Sequence, residues 1–225
     1  MPSKSEKIAL IIACLVMASS SRRPGSTVIK PRRDTRPPAS PRRGTRPPRH
    51  AMRWVDRDMH LFIDEVESLG LRPEDVLHVY AAESGLDPAA SSGSAFGIPQ
   101  INRDTAKAIG WQGNVRDFAK LSVADQIPWI TKLLAAQIRS IGYVPQTALE
   151  LYIANFCSRA ARDRDNILYR SGSQNYADNR PLDAANKGYI SSDDLAASLR
   201  KVRDSAAYQT ALEQVRRIRK AHPTP

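Results

Sequence analysis

Residues 78–106 read HVYAAESGLDPAASSGSAFGIPQINRDTA, and the prediction of the fold starts from the change of pattern inside them. The stretch begins with apolar residues at helical spacing and places one carboxylate, Glu83, where that spacing ends. Gly85 and Pro88 predict the end of this helix, and a loop rich in Gly and Ser follows. A short second helix is predicted at residues 105–109. The stretch therefore predicts a carboxylate at the end of an apolar helix, beside a loop of small residues.

Helical spacing of apolar residues continues through most of the chain, and no stretch shows a convincing strand alternation. Ser122, with Asp125 three residues later, predicts a helix cap, and Pro145 is placed in the first turn of a further helix. The predicted fold class is all-α, with about seven helices and no internal repeat. The predicted helices are residues 55–69, 71–83, 105–109, 122–141, 145–157, 192–202 and 204–219.

The positive charge is confined to the N-terminal part of the chain. Residues 1–50 contain 12 Lys and Arg against 2 Asp and Glu, whereas residues 51–225 contain 22 against 21. Binding of nucleic acid by a folded domain requires basic residues clustered on its surface. We therefore expect no nucleic acid partner for the folded domain.

The first 20 residues have the order of a secretory signal. Lys4 and Lys7 precede an apolar run, Ile8–Ala18, and small residues follow. Eleven apolar residues are too few to span a bilayer. Residues 1–20 are therefore predicted to be a cleaved signal peptide or an uncleaved N-terminal anchor, and the protein is expected to be exported, with no other transmembrane segment.

Residues 21–50 contain seven of the 16 prolines, interleaved with Arg. Such a segment buries little apolar area, so it is predicted to be a disordered linker. It is either a solvated spacer or a segment held against an anionic wall, membrane or nucleic acid. Met52 also leaves open that the natural protein starts downstream of this segment. Residues 51–225 are predicted to form the folded domain.

Cysteine and histidine usage argues against a disulfide and against a metal centre. Cys14 lies in the predicted signal, which leaves Cys157 alone in the mature chain. The four histidines are scattered, and no cluster has the spacing of a zinc site. We expect no metal, no cofactor and a monomeric protein.

Several residues between 83 and 106 form a compound motif with fixed spacings. It resembles the signature of lysozyme-like lytic transglycosylases, most closely those of phage particles and of bacterial secretion-associated cell-wall enzymes. The resemblance extends loosely over residues 55–219, and the Gly/Ser loop is one residue shorter than is usual. The matching residues are Glu83-Ser84, Leu86, Asp87-Pro88, Gly97-Ile98-Pro99-Gln100 and Thr105-Ala106.

The resemblance implies a lysozyme-like helical fold and cleavage of peptidoglycan glycan strands in the periplasm, at the cell wall, outside the cell or from a virus particle. Glu83 would protonate the glycosidic oxygen between N-acetylmuramic acid and N-acetylglucosamine, and would then deprotonate the muramyl 6-hydroxyl to give a 1,6-anhydro product. A carboxyl at the end of an apolar helix is partly desolvated, which raises its pKa, as in lysozyme, the standard example. Asp87 fills a polar position before Pro, so a turn role is expected for it.

Five further residues are candidates for substrate binding. Gln100 can donate hydrogen bonds to an N-acetyl group or hydroxyl and accept them. Ser84 and Ser92 are the candidates among the serines of this segment, because the spacing does not identify which serine contacts the substrate. Tyr152 and Asn155 lie one helical turn apart on one face. The family's Tyr-Asn pair is adjacent, so Tyr152 is either part of the glycan site or a core residue.

Residues 179–195 include a degenerate EF-hand-like loop. Asp183, Gly188 and Asp194 stand at positions 1, 6 and 12 of the calcium-binding pattern. Ala185 and Lys187 stand at positions 3 and 5, where calcium requires oxygen ligands. The loop is therefore predicted to keep the turn geometry without the metal.

Three alternatives remain open. The first is a muramidase of the same fold that admits water. The second is a non-catalytic glycan-binding or baseplate-like structural protein. The third is a nucleic-acid binder acting through the Arg/Pro-rich tail, whose affinity would fall steeply with salt.

Overall fold

A computed structural model of the chain describes residues 54–221. The predicted signal or anchor at residues 1–20 and the predicted linker at residues 21–50 lie outside the described residues. Residues 51–53 and 222–225, at the two ends of the predicted domain, lie outside them as well.

The described residues form nine α-helices, two 3₁₀ helices and two short strands, which confirms the prediction of a mostly helical fold. None of these helices is both long and apolar enough to span a bilayer. The α-helices are α1 (Asp56–Ser68), α2 (Pro73–Ser84), α3 (Arg103–Ala108), α4 (Val123–Ile141), α5 (Ala148–Phe156), α6 (Ser158–Asp163), α7 (Gln174–Asn179), α8 (Ser192–Val202) and α9 (Ala206–Ala221). The 3₁₀ helices are Val115–Lys120 and Arg180–Leu182, and the strands are β1 (Ile167–Arg170) and β2 (Tyr189–Ser191).

Helix α2 is the central element of the described fold, because α1, α5, α8 and α9 all pack against it. Its residues Val76, Leu77, Val79 and Tyr80 are buried, and they point to different sides of the helix. A helix that is apolar on most of its circumference belongs in a core. Glu74 and Asp75 are the polar groups of its first turn, and its last turn carries Glu83.

Side-chain caps define where α4 and α5 begin. Ser122 accepts a hydrogen bond from the backbone N–H of Asp125, so α4 begins where the sequence predicts. Thr147 caps α5 by accepting from the N–H of Glu150 at 3.2 Å. The prediction that Pro145 lies in the first turn of α5 is wrong, because the Thr147 cap starts this helix at Ala148.

The two strands form an antiparallel pair that the sequence does not predict. Tyr169 pairs with Ile190, and Arg170 pairs with Tyr189, with an irregularity towards Ile167. Strands of four and three residues are too short to show an alternating pattern, so the mostly helical sequence gives no sign of them. The pair is anchored in the core by Leu168 and Ile190, which are buried.

Asp183 organises the EF-hand-like loop by binding backbone N–H groups. One carboxylate oxygen accepts from the N–H of Lys187 at 2.8 Å, and the other accepts from the N–H of Gly188 at 2.8 Å. The hydroxyl of Tyr176 donates to the same Asp183 carboxylate at 2.8 Å. These bonds close the turn through groups of the chain itself.

Lys187 supplies the positive charge inside this loop. Its ammonium nitrogen lies 2.9 and 2.8 Å from the two carboxylate oxygens of Asp194. Asp194 also accepts from the N–H and the hydroxyl of Ser191, which completes the N-terminal cap of α8. Within residues 54–221, no group of three or more His, Cys, Asp or Glu residues could hold a metal ion. The chain's own ammonium group therefore neutralises the carboxylate at position 12.

We predict that Lys187→Met lowers the free energy of unfolding by about 1 kcal/mol, because it leaves Asp194 without its cation. Lys120→Met is the matched control, since Lys120 pairs with Asp117 at 2.7 Å on the open surface. The Lys187 and Asp194 side chains are 27% and 13% exposed, against 77% and 49% for the control pair. Urea unfolding of the two variants checks this prediction, and an equal loss in both would contradict it.

Candidate active site

The chain turns sharply directly after Glu83. Gly85 and Leu86 both have left-handed backbone conformations, with φ of 67° and 63°. Leu86 is an unusual residue for this region, and two bonds hold it there. Its N–H donates to the hydroxyl of Ser84 at 3.2 Å, and its carbonyl accepts from the indole N–H of Trp54 at 3.2 Å. The turn therefore has a fixed geometry at the end of α2.

Two side chains of α5 contact the carboxyl group of Glu83. The amide nitrogen of Asn155 donates to Glu83 Oε1 over 3.5 Å, which is a long hydrogen bond. The phenol of Tyr152 also lies near Glu83, close enough to lower the pKa of its carboxyl group. Tyr152 is buried and Asn155 is half-buried, so the carboxyl group meets neutral donors on this side.

The pKa of Glu83 is raised from its ordinary value of 4.5 to about 7. Burial is the largest cause, and the neutral donors of Tyr152 and Asn155 oppose it. The last turn of α2 carries no basic residue, and the partial negative charge of a helix C-terminus disfavours a carboxylate there. Among the described residues, no ion pair to Glu83 is formed. Glu83 can therefore both hold and release a proton near neutral pH.

Tyr80 lies one turn before Glu83 on α2. It is fully buried, and its hydroxyl oxygen has no hydrogen-bond partner among the described residues. Burial first, and the charge of Glu83 second, raise the pKa of Tyr80. The phenol therefore stays neutral wherever Glu83 titrates.

Gln137 stands behind Asn155. It lies on α4, it is buried, and its amide nitrogen donates to Asn155 Oδ1 at 2.6 Å. Its own carbonyl oxygen is buried without a partner among the described residues. Helices α4, α5 and α2 are thus joined by a chain of side chains that ends at the carboxyl group of Glu83.

Gln126 of α4 fastens the Gly/Ser loop. Its carbonyl oxygen accepts from the N–H of Ile98 at 2.9 Å, and its amide nitrogen donates to the carbonyl of Pro88 at 2.8 Å. Gly97 lies directly beside this contact with φ of 75°. A β-carbon at Gly97 would lie 2.6 Å from a ring carbon of Phe118 and 2.7 Å from Gln126 Oε1. The loop therefore requires glycine at this point for space as well as for conformation.

The predicted substrate-binding residues of the loop differ in what their side chains contact. The hydroxyl of Ser84 donates to the carbonyl of Tyr80 at 3.0 Å, so it serves the helix end. Ser92 is exposed, and its backbone N–H donates to the carbonyl of Ala95. Gln100 donates to the carbonyl of Gly97 at 2.8 Å, which leaves its own amide oxygen for other partners. The structure thus brings Tyr152 and Asn155 to Glu83, and it gives Ser84 and Gln100 contacts within their own segment.

Sequence reasoning missed Tyr80, Gln126 and Gln137. The two glutamines interrupt the apolar face of α4, at positions where the helical period predicts core residues. A buried amide requires hydrogen-bond partners. A glutamine at a predicted core position was therefore the feature of the sequence that could have indicated these contacts. The sequence does not specify which loop or helix supplies them.

Two cavities lie away from Glu83. One of about 380 Å³ lies between α2 and α9 and is lined by residues including Arg72, Asp75 and Tyr208. The other, of about 250 Å³, lies beside α5 and α6 and includes Glu150 and Arg164. Both have acidic and basic groups in their linings, and Arg72 is paired with Asp75 at 3.7 Å. Neither is lined by Glu83.

No protein family, curated protein or solved structure matches the chain. The resemblance to lytic transglycosylases therefore rests on the motif residues alone. The geometry around Glu83 is an independent observation, since it follows from the packing of α2, α4 and α5.

We predict that Gly97→Ala destabilises the protein by about 3 kcal/mol, through backbone strain together with the collision with Phe118 and Gln126. Gly93→Ala is the matched control. Gly93 also has a positive φ, of 94°, but nothing lies within 4 Å of the position of an added β-carbon. The control should therefore show the strain alone, about 1 kcal/mol. Thermal and urea unfolding measure both values, and similar losses would contradict the close approach at Gly97.

We predict that the free energy of unfolding falls, relative to Glu83→Gln, as the pH rises from 4.5 to about 7. Between these pH values the folded protein binds the Glu83 proton more tightly than the unfolded chain does. The stability that this proton contributes is therefore lost as the carboxyl group ionises. The expected difference is about 3 kcal/mol, complete above the folded pKa. Urea unfolding at a series of pH values measures it. A constant difference between the two proteins across the window would contradict the raised pKa.

Proposed function

We propose that the chain is a lytic transglycosylase that cleaves the β-1,4 bond between N-acetylmuramic acid and N-acetylglucosamine in peptidoglycan, on a lysozyme-like fold. The observation that carries the proposal is Glu83, which is half-buried, lies beside neutral donors and has its pKa raised to about 7. The resemblance of residues 83–106 to the transglycosylase signature supports the same proposal. Export to the cell wall or beyond it belongs to this proposal.

In the first step, protonated Glu83 donates its proton to the glycosidic oxygen. The bond between this oxygen and C1 of the muramyl residue breaks, and the N-acetylglucosamine strand leaves as an alcohol. Glu83 is then a carboxylate, and positive charge develops at C1. The donors on Tyr152 and Asn155 stabilise the carboxylate at this stage.

In the second step, the Glu83 carboxylate removes the proton from the 6-hydroxyl of the same muramyl residue. O6 then forms a bond to C1, which gives the 1,6-anhydro ring. Glu83 returns to its protonated form, and no water is consumed. A pKa near 7 suits both roles, because one residue acts first as the acid and then as the base.

The Gly/Ser loop would bring backbone and small side chains close to the glycan. Exposed Ser92 and the amide oxygen of Gln100 are polar groups that it offers to hydroxyl and N-acetyl groups. Asp87 supports a one-carboxylate mechanism, because its oxygen accepts from the N–H of Ala89 at 2.9 Å and so serves the turn. Hydrolysis with two carboxylates would require a second acid facing the bond.

We predict that the full chain releases muropeptides with 1,6-anhydromuramyl ends from isolated sacculi, and that Glu83→Gln lowers the rate at least a thousandfold, on the order of a lost general acid. Mass spectrometry of the digests identifies the ends. Asp87→Asn is the control, since asparagine can accept the same hydrogen bond from Ala89. It should retain activity.

Two results would overturn the proposal. Reducing muramyl ends carrying water oxygen, after digestion in ¹⁸O-labelled water, would indicate a muramidase. Equal clearance of sacculi by wild type and Glu83→Gln would indicate a binding or structural protein.

A further inference from the structure

The amide of Asn155 can face Glu83 in two ways. In the structure its nitrogen faces Glu83 Oε1 at 3.5 Å, and its oxygen accepts from Gln137 at 2.6 Å. Rotation by half a turn would place the amide oxygen against Glu83 instead. An oxygen there would repel a carboxylate, so the orientation of this amide decides whether Asn155 stabilises the charged form.

We propose that Gln137 is a positioning residue, which holds the Asn155 amide with its NH₂ group towards the carboxyl group of Glu83. Gln137 donates its own N–H to Asn155 Oδ1, so only the NH₂ end of Asn155 is left for Glu83. The part of this inference that concerns catalysis rests on the proposed function. The orientation of Asn155 can be tested without it.

The burial of Gln137 supports this role. It is 6% exposed on α4, and its carbonyl oxygen is buried without a partner in the described part of the chain. A buried polar atom without a hydrogen bond destabilises a fold. An apolar residue of similar length would suit packing at least as well, so the single short bond to Asn155 is what the amide contributes.

Gln214 is the matched control, because it is a second buried glutamine that lies away from Asn155. It is 3% exposed on α9, and its carbonyl oxygen is also buried without a partner within residues 54–221. Its amide nitrogen donates to the carbonyl of Trp54 at 2.9 Å and to Asp56 at 2.7 Å. Replacing it removes a buried amide that has no contact with Asn155.

Titratable groups that face Glu83 are few in the described part of the chain. They are Tyr80 on α2 and Tyr152 on α5. Burial and the charge of Glu83 raise the pKa of both phenols, so both stay neutral through the titration of Glu83. A change in this titration can therefore be traced to the neutral donors.

The test follows the side-chain amide resonances of Asn155 by NMR of the full ¹⁵N-labelled chain between about pH 5 and about pH 9. They are assigned by their loss in Asn155→Ser. In the wild type they should titrate with the Glu83 midpoint near 7. Gln137→Met should raise the midpoint by about half a pH unit or more, because the hydrogen bond to the carboxylate loses its orientation.

Gln137→Leu is the second variant. Its side chain makes no hydrogen bond, so the midpoint should rise as in Gln137→Met, whereas a new carboxylate at this position would raise it by its charge alone. Gln214→Met should leave the midpoint at the wild-type value. In cleavage assays, Gln137→Met should lower kcat about tenfold with KM nearly unchanged, because Gln137 acts through Asn155 and not on the substrate.

An unchanged midpoint in Gln137→Met, or the same shift in Gln214→Met, overturns the positioning role. If the midpoints shift as predicted but neither the wild type nor any variant cleaves peptidoglycan, the positioning of Asn155 is supported and the proposed function is refuted. Cleavage by the wild type with no shift in the variants would support the proposed function while refuting the positioning of Asn155.

Discussion

The site depends on keeping a carboxyl group out of water without giving it a positive partner. A carboxylate is costly to desolvate, so a group in this position holds its proton unless something compensates the charge. Glu83 lies in the last turn of α2, where α5 packs against this helix, and burial there raises the pKa of its carboxyl group. The central helix is therefore both the core of the fold and the means of raising the pKa.

Neutral amides position the groups around Glu83, and this choice has an electrostatic reason. Gln126 holds the Gly/Ser loop, and Gln137 holds Asn155, each through hydrogen bonds that add no net charge. A lysine or arginine at position 137, one side chain away from Glu83, would attract the carboxylate and lower the pKa of Glu83. The chain does use an ammonium group as an internal support, but at Lys187, in the EF-hand-like loop.

Periodicity and caps predicted much of the fold, because both are local properties. The start of α4 follows from the cap at Ser122, and the apolar face of α2 follows from spacing alone. The strands β1 and β2 were not predictable, since three or four residues give no period. Pro145 was misplaced because proline fits the residues before a helix as well as its first turn.

The candidate site could be predicted only in part. The motif identified Glu83, and helical spacing placed Tyr152 and Asn155 on one face, which the structure turns towards Glu83. Their roles with substrate stay predictions, as do those of Ser92 and Gln100. The contacts of Gln126 and Gln137 join residues 18 to 38 positions apart, and such pairings depend on how the helices pack.

The most direct test of the account is the titration of the Glu83 side-chain carboxyl carbon by ¹³C NMR, with its resonance identified by its loss in Glu83→Gln. We expect a midpoint of about 7 in the free protein. A midpoint near the ordinary value of 4.5 would mean that water or an opposite charge reaches this carboxyl group, and the proposed acid would then be ionised at neutral pH.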